Sequence, residues 1–278
     1  MAIKMYQQLK CRSFAKLNLC LHVLKKRNDG YHEIESIFES VNLYDELSFK
    51  QNNANSIRFT SDSERINPLD NLITKTYKEI SSNYDIPGID VLLKKNIPIG
   101  AGLGGGSSNA AVTLHALNSL FKLNMTSKQL IKIAQKIGSD VPFFINGGSA
   151  IVRGRGEKIE EIDLDERFYI IVISDLLIHT KDIFEHLPSD SYIDAVNNVD
   201  LLNSQHNCLE SLVMSKYPTL KETKYWLSSF GSVRMSGTGS TLYIEYDNYE
   251  SAEKANKEIG RKYKSLMVSS LKSYDVFS

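Results

Sequence analysis

Five glycines fall within seven positions, Gly100, Gly102, Gly104, Gly105 and Gly106, inside the stretch that runs from Pro98 to Asn109. With so few Cβ atoms, consecutive backbone N–H groups can close around an anion. Residues 89–93 before the run read as a short strand. After it, Ala110, Ala111, Leu114, Leu117 and Phe121 recur at the i, i+3, i+4 spacing of a helix with one apolar face. A helix that starts here points its N-terminal amides and dipole back at the loop, an arrangement suited to phosphate. A flexible linker would not be flanked by ordered elements on both sides.

The rest of the chain reads as a mixture of both element types. Residues 13–23, 34–43, 46–49 and 57–60 have the apolar patterning of strands, and Asn28-Asp29-Gly30 is a turn signal. Leu72, Ile73, Thr76 and Ile80 place a helix over 71–81. Thr126 or Ser127 caps another, with Ile131, Ala134 and Ile137 on its face and Gly138 at its end. Residues 154–167, glycine-rich and then acidic, read as a hinge. Beyond it lie strands at 168–173, 241–246 and 266–271 and helices at about 209–217, 220–230 and 251–263. A length of 278 residues fits two domains of ordinary size. The fold class is α+β in two parts, 1–155 and 156–278.

Composition closes off several function classes. Lys plus Arg and Asp plus Glu number 33 each, so the electrostatic footprint of a nucleic-acid or polybasic membrane protein is missing. No apolar run approaches the ~20 residues of a membrane span, and residues 1–10 lack the apolar core of a signal peptide. Cys11, Cys20 and Cys208 are too few for a disulfide framework and have no zinc-like spacing. A reducing, cytoplasmic setting is expected. The neutral sum is uneven, because residues 91–139 hold six Lys (94, 95, 122, 128, 132, 136) and no acid.

Three nucleotide motifs fail. Gly100-x-Gly102-x-x-Gly105 matches the dinucleotide fingerprint, but no acidic residue follows about 20 positions on. A Walker A loop needs Gly-Lys-Ser/Thr, whereas Gly106 is followed by Ser107. The protein-kinase sequences VAIK, HRD and DFG are absent. His22, His115, His179, His186 and His206 show no metal spacing.

The segment Pro98–Ala111, P-I-G-A-G-L-G-G-G-S-S-N-A-A, resembles the phosphate loop of the GHMP small-molecule kinases. Four further stretches are similar to the branch of that family acting on a CDP-linked methylerythritol. They are Ala15-Lys16-Leu17-Asn18-Leu19 with Asp29-Gly30-Tyr31-His32-Glu33, the run from Gly138 to Phe144 through Asp140, the run from Ala150 to Glu157, and that from Arg234 to Ser240. The resemblance spans about residues 13–245. It departs at Lys25-Lys26-Arg27-Asn28, where the family commonly has Gly and Pro, and at Leu17 and Cys20, where Ile and Phe are commoner.

The resemblance implies a two-domain fold, ribosomal-protein-S5-like at the N-terminus and ferredoxin-like at the C-terminus, with the active site in the cleft between. It implies ATP as co-substrate, Mg²⁺, and transfer of the γ-phosphoryl to a 2-hydroxyl on the methylerythritol phosphate route to isoprenoid precursors. Asp140 is cast as the base and Lys16 as its charged neighbour. Pro98, Ile99, Gly100, Ala101, Gly102, Leu103, Gly104, Gly105, Gly106, Ser107 and Ser108 would hold ATP, with Ser108 the hydroxyl near the metal and Asn71 and Lys95 near adenine and ribose. Tyr31 and Phe184 would sandwich the cytosine, His32 would read its edge, and Asn18, Thr180 and Gly237 would contact the remainder of the substrate. A homoserine- or mevalonate-type kinase is the alternative, and a non-catalytic nucleotide-binding regulator is another. Asp29-Gly30-Tyr31-His32 speaks against the first, and the presence of both Lys16 and Asp140 against the second.

Overall fold

Two long strands, β1 (Gln8–Lys26) and β2 (His32–Gln51), form an antiparallel hairpin that organises the first half of the computed structural model, which describes residues 8–272 and 275–277. The opening residues 1–7 lie outside the described residues. The other edge of β2 is shared: β5 (Ser149–Gly154) pairs along 34–39 and β4 (Ile89–Lys94) along 46–51. β3 (Ile57–Ser61) lies parallel to β4, and β6 (Lys158–Ile162) pairs with β5. Where the sequence suggests two strands, 34–43 and 46–49, the chain forms one. Phe14 faces Tyr44 while Ala15 faces Val41, so an irregularity bends β2 without ending it.

Helices α1 (Leu72–Ser81), α2 (Gly105–Leu120), α3 (Ser127–Ile137) and α4 (Phe143–Asn146) pack with this sheet. Asn71 caps α1, its side chain accepting from the Thr74 amide. Thr126 rather than Ser127 caps α3, in a reciprocal pair with Gln129. Helix α2 is buried on nearly every side, through Ala110, Ala111, Val112, Leu114, Ala116 and Leu117. Its small residues let it lie close to β1.

The second half is a four-stranded antiparallel sheet in the order β10 (Ser265–Ser269), β7 (Phe168–Val172), β9 (Leu242–Tyr246), β8 (Val233–Met235). Helices α5 (Thr180–Glu185), α6 (Asn198–Asn203), α7 (Glu210–Lys216) and α8 (Pro218–Leu227) connect β7 to β8, and α9 (Tyr249–Ile259) connects β9 to β10. This order and connectivity are ferredoxin-like. The stretch 154–167 is not a hinge throughout: β6 places residues up to Ile162 in the first sheet, and 163–167 make the crossing. The charges of Glu160 and Glu161 belong to an edge strand, where Glu160 meets Arg153.

Ala15, Leu17, Val41, Ile97, Leu103, Tyr169 and Tyr243 join the two halves in one buried cluster. The centre of β1 is consequently covered on both faces, which explains its nearly unbroken apolar run. Tyr243 also donates from its hydroxyl to the Asn18 carbonyl at 2.8 Å. No helix among the described residues is long and apolar enough to cross a membrane.

All three cysteines are free and buried. Burial pushes the Cys11 thiol up to about 12 and, as the largest influence, the Cys20 thiol to about 11; Cys208 is raised by the same cause. A thiol reagent at pH 8 is therefore expected to leave the native protein unmodified and to titrate three thiols after denaturation. Rapid native labelling would contradict this.

Candidate active site

Gly100, Gly102 and Gly104 have φ of +69°, +76° and +69°, left-handed values that only glycine takes easily. The carbonyls between them are turned into the protein. Ala101 O accepts from the Thr241 amide (3.3 Å), Gly102 O from Ser236 Oγ (3.0 Å) and Leu103 O from the Lys16 amide (3.0 Å). The loop is thus stitched to β1 and to the β8–β9 turn. Gly104 is the N-cap of α2 and brings no side chain to its amides, so the first turn of the helix has donors to spare. Loop and helix start open on a cleft of about 530 Å³.

Lys16 and Asn18 stand two residues apart on β1 and face the cleft together. Lys16 Nζ donates to Asn18 Oδ1, lies 3.7 Å from Asp140 Oδ2 and 4.5 Å from the centre of the Phe38 ring. Asp140 occupies the turn between α3 and α4. Its neighbours Val141, Phe143 and Phe144 are core residues that hold the turn in place. Lys16 is buried and Asp140 is one-third exposed. Burial pushes the Lys16 ammonium below the ordinary lysine value, and the Asp140 charge acts in the opposite sense. One wall of the cleft therefore presents a carboxylate open to an incoming hydroxyl, with an ammonium held behind it.

Around the glycine loop, the stretch from Pro98 to Ser107, Asn71 and Lys95 all line the cleft. The side chain of Asn71 is spent on capping α1 and on the carbonyls of Asn67 and Pro68. Lys95 Nζ forms a buried ion pair with Asp45 at 2.5 Å. Ser108 is not among the residues that line the cleft. It is fully buried and takes a hydrogen bond from Ser13 Oγ at 2.8 Å, whereas Ser107 lines the cleft. A residue one position further round α2 points elsewhere, which a string of adjacent serines cannot reveal. Arg65 also lines the cleft, and nothing in the pattern around it marked it.

Away from the loop, Asn18, Thr180, Phe184 and Gly237 line the same cleft, joined by Thr238, whose hydroxyl is 3.2 Å from that of Thr180. Tyr31 and His32 do not line it. Tyr31 is half exposed at the tip of the β1–β2 hairpin, with the Arg155 guanidinium 5.1 Å above its ring. His32 packs against Phe184, 5.1 Å between ring centres, and its Nε2 is 3.3 Å from the Tyr192 hydroxyl. Burial lowers the His32 pKa, with Lys26 adding to the effect, so its neutral form is favoured. The histidine therefore sits against Phe184, one of the two aromatics expected to flank the cytosine.

This cleft has recognisable relatives. The descriptions "GHMP kinases N terminal domain" and "GHMP kinases C terminal" match residues 71–148 and 194–265. A 4-diphosphocytidyl-2-C-methyl-D-erythritol kinase of Francisella philomiragia subsp. philomiragia is 39% identical over 244 residues, covering 84% of this chain and 86% of its own. One from Caldanaerobacter subterraneus subsp. tengcongensis is 36% identical, over 94% and 96% of the two chains. The chain belongs to the 4-diphosphocytidyl-2-C-methyl-D-erythritol kinase family. A crystal structure of a 4-(cytidine 5'-diphospho)-2C-methyl-D-erythritol kinase superposes with a TM-score of 0.80 at 26% identity, covering 94% of this chain and 99% of that one. A homoserine kinase from Cytophaga hutchinsonii shares the GHMP fold at a TM-score of 0.68 and 18% identity. Within this kinase family, the departure at Lys25–Asn28 has a local remedy. Arg27 bonds Asp29 and Glu33, and its amide donates to Tyr31 O at 2.8 Å, closing the turn without the usual glycine and proline.

Proposed function

We propose that this protein transfers the γ-phosphoryl group of ATP to the 2-hydroxyl of 4-diphosphocytidyl-2-C-methyl-D-erythritol. The observation that carries the reading is the Lys16–Asp140 pair, 3.7 Å apart, facing a glycine loop across one cleft. The loop amides and the first turn of α2 bind the triphosphate. Asp140 orients the acceptor hydroxyl and takes its proton. A carboxylate is a weak base for an alcohol. In a loose, metaphosphate-like transition state, proton transfer comes late and a weak base suffices. Lys16 holds Asp140 in place and offsets the charge on the transferring group.

Mg²⁺ fits the donors present: Ser107, on the cleft wall at the start of α2, offers a hydroxyl of the hard oxygen kind this ion takes alongside phosphate and water. When bound it would neutralise part of the charge on the β- and γ-phosphates. The cytidine end lies toward Phe184, where the ring supplies a stacking face and His32, beneath it, fixes that ring. Asn18, Thr180 and Gly237 border the polyol and diphosphate. The setting is the cytoplasm, consistent with three free buried thiols.

Phe184→Ala is expected to raise KM for the cytidine substrate about ten-fold while leaving KM for ATP within about two-fold, as lost stacking area should. Equal effects on both constants would place Phe184 outside the acceptor site. The assignment of substrate is tested with a panel. A coupled ADP-release assay should show turnover with the CDP-linked methylerythritol and little with homoserine or mevalonate. Faster turnover of either of those would overturn it.

A further inference from the structure

Asp45 is wholly buried, and its carboxylate is bonded to both arms of the glycine loop. Oδ1 accepts from the amides of Asn96 and Ile97, each at 2.8 Å. Oδ2 accepts from Lys95 Nζ at 2.5 Å and from Asn109 Nδ2 at 2.9 Å. Residues 95–97 lead into the loop at Pro98, and Asn109 stands in α2 where the loop has ended. One side chain therefore spans the mouth of the loop. Ser13, opposite Asp45 on β1, completes the network by accepting from Asn109 Nδ2 at 2.8 Å.

The hairpin irregularity makes this possible. Pairing of β2 with β5 stops at Glu39 and with β4 starts at Glu46; between them an isolated bridge joins Val41 to Ser270, and among the described residues no strand pairs with 42–45 on that edge. Asp45 sits at the end of that opening, where the returning chain can reach it. A buried carboxylate is costly unless it is paired and hydrogen-bonded; here a cation and three neutral donors satisfy it. The position of Lys95 is equally defined. A Cβ on Gly105 would lie 3.0 Å from Lys95 Nζ, so the ammonium rests against the first turn of α2, at the phosphate end of the cleft.

We propose that Asp45 is a positioning residue of the nucleotide site, which fixes the Lys95 ammonium against the start of α2 and thereby tunes affinity for the ATP phosphates. It touches neither substrate. The inference rests on the reading of the glycine loop as the ATP site. It also separates two roles within the cleft: Lys16 serves the reacting hydroxyl, and Lys95, through Asp45, serves the nucleotide.

Asp45→Asn keeps an oxygen for the Asn96 and Ile97 amides and removes the charge that faces Lys95. Its KM for ATP is expected to rise about ten-fold, with kcat and KM for the acceptor within about two-fold. Lys95→Met should raise KM for ATP similarly, and adding Asp45→Asn to it should raise it no further, because the first change acts through the second residue. An unchanged KM for ATP in Asp45→Asn would overturn the proposal. So would a double variant ten-fold worse than Lys95→Met. If Asp45→Asn fails to fold, the comparison within the Lys95→Met background, where neither charge remains, decides the matter. Titration of the unmodified enzyme with MgATP comes first: no binding there defeats the ATP reading itself, and the Asp45 inference with it, before any variant is compared.

Discussion

Asp140→Asn is expected to bind MgATP within about three-fold of the unmodified enzyme and to lose at least about three orders of magnitude in kcat. The amide is close to the carboxylate in size, so the turn between α3 and α4, anchored by Val141, Phe143 and Phe144, should stand. What disappears is the proton acceptor and the negative charge 3.7 Å from Lys16 Nζ. Lys16 then remains buried with only neutral amide oxygens to accept its hydrogen bonds, and burial already pushes its pKa down. Both members of the pair are therefore impaired by one substitution, which is why the effect should sit near the top of the range for a lost general base. In the proposed site, nucleotide affinity rests on the loop amides and Lys95, away from this pair. Activity within ten-fold of the unmodified enzyme would remove Asp140 from the proton transfer.

The second large effect is expected at Gly102. An alanine Cβ there would stand 2.2 Å from Ser236 O and 3.0 Å from Gly239 O, both rigid backbone of the β8–β9 turn. The φ of +76° adds about 1 kcal/mol for any residue with a Cβ. Relief requires the loop to part from the turn, which breaks the bonds from Ser236 Oγ and the Thr241 amide that tie the two halves of the cleft. Displacement of the loop by about 1 Å is enough to cost 100-fold in rate, so Gly102→Ala should lose at least that much in kcat/KM and melt earlier. Gly106 is the contrast, since a Cβ there meets only Leu72 Cδ1 at 3.9 Å. Gly106→Ala is expected not to lower the melting temperature. Equal melting of the two variants would show that the loop is not clamped as described.

Local signals were sufficient for much of this architecture. The Thr126 cap, the apolar spacing of α2 and the glycine run each depend on residues within one or two turns of one another. No such signal joins Lys16 to Asp140, which meet because β1 runs under the loop while the α3–α4 turn closes over it. Their pairing was legible only through family resemblance. Asp45 was missed for a related reason: a lone acid in a strand looks solvated unless the opening in β2 and the return of residues 95–97 are known.

The lysine-rich stretch 91–139 shows the limit of local charge sums. Lys94, Lys95 and Lys136 are met by Glu46, Asp45 and Glu79, all outside that stretch in sequence. The positive character of the site therefore does not follow from the sum over that stretch; it depends on where particular ammonium groups are held. Adjacent hydroxyls on α2 were similarly indistinguishable until the helix phase put Ser107 in the cleft and Ser108 against Ser13.

The central claim is the position of phosphorylation. Incubation of the purified protein with MgATP and 4-diphosphocytidyl-2-C-methyl-D-erythritol, followed by ³¹P NMR of the product, reads it directly. One new phosphomonoester resonance, on the tertiary 2-hydroxyl with the diphosphate signals intact, is the expected result. Phosphate on another hydroxyl, or ATP hydrolysis with the acceptor unchanged, would contradict the account.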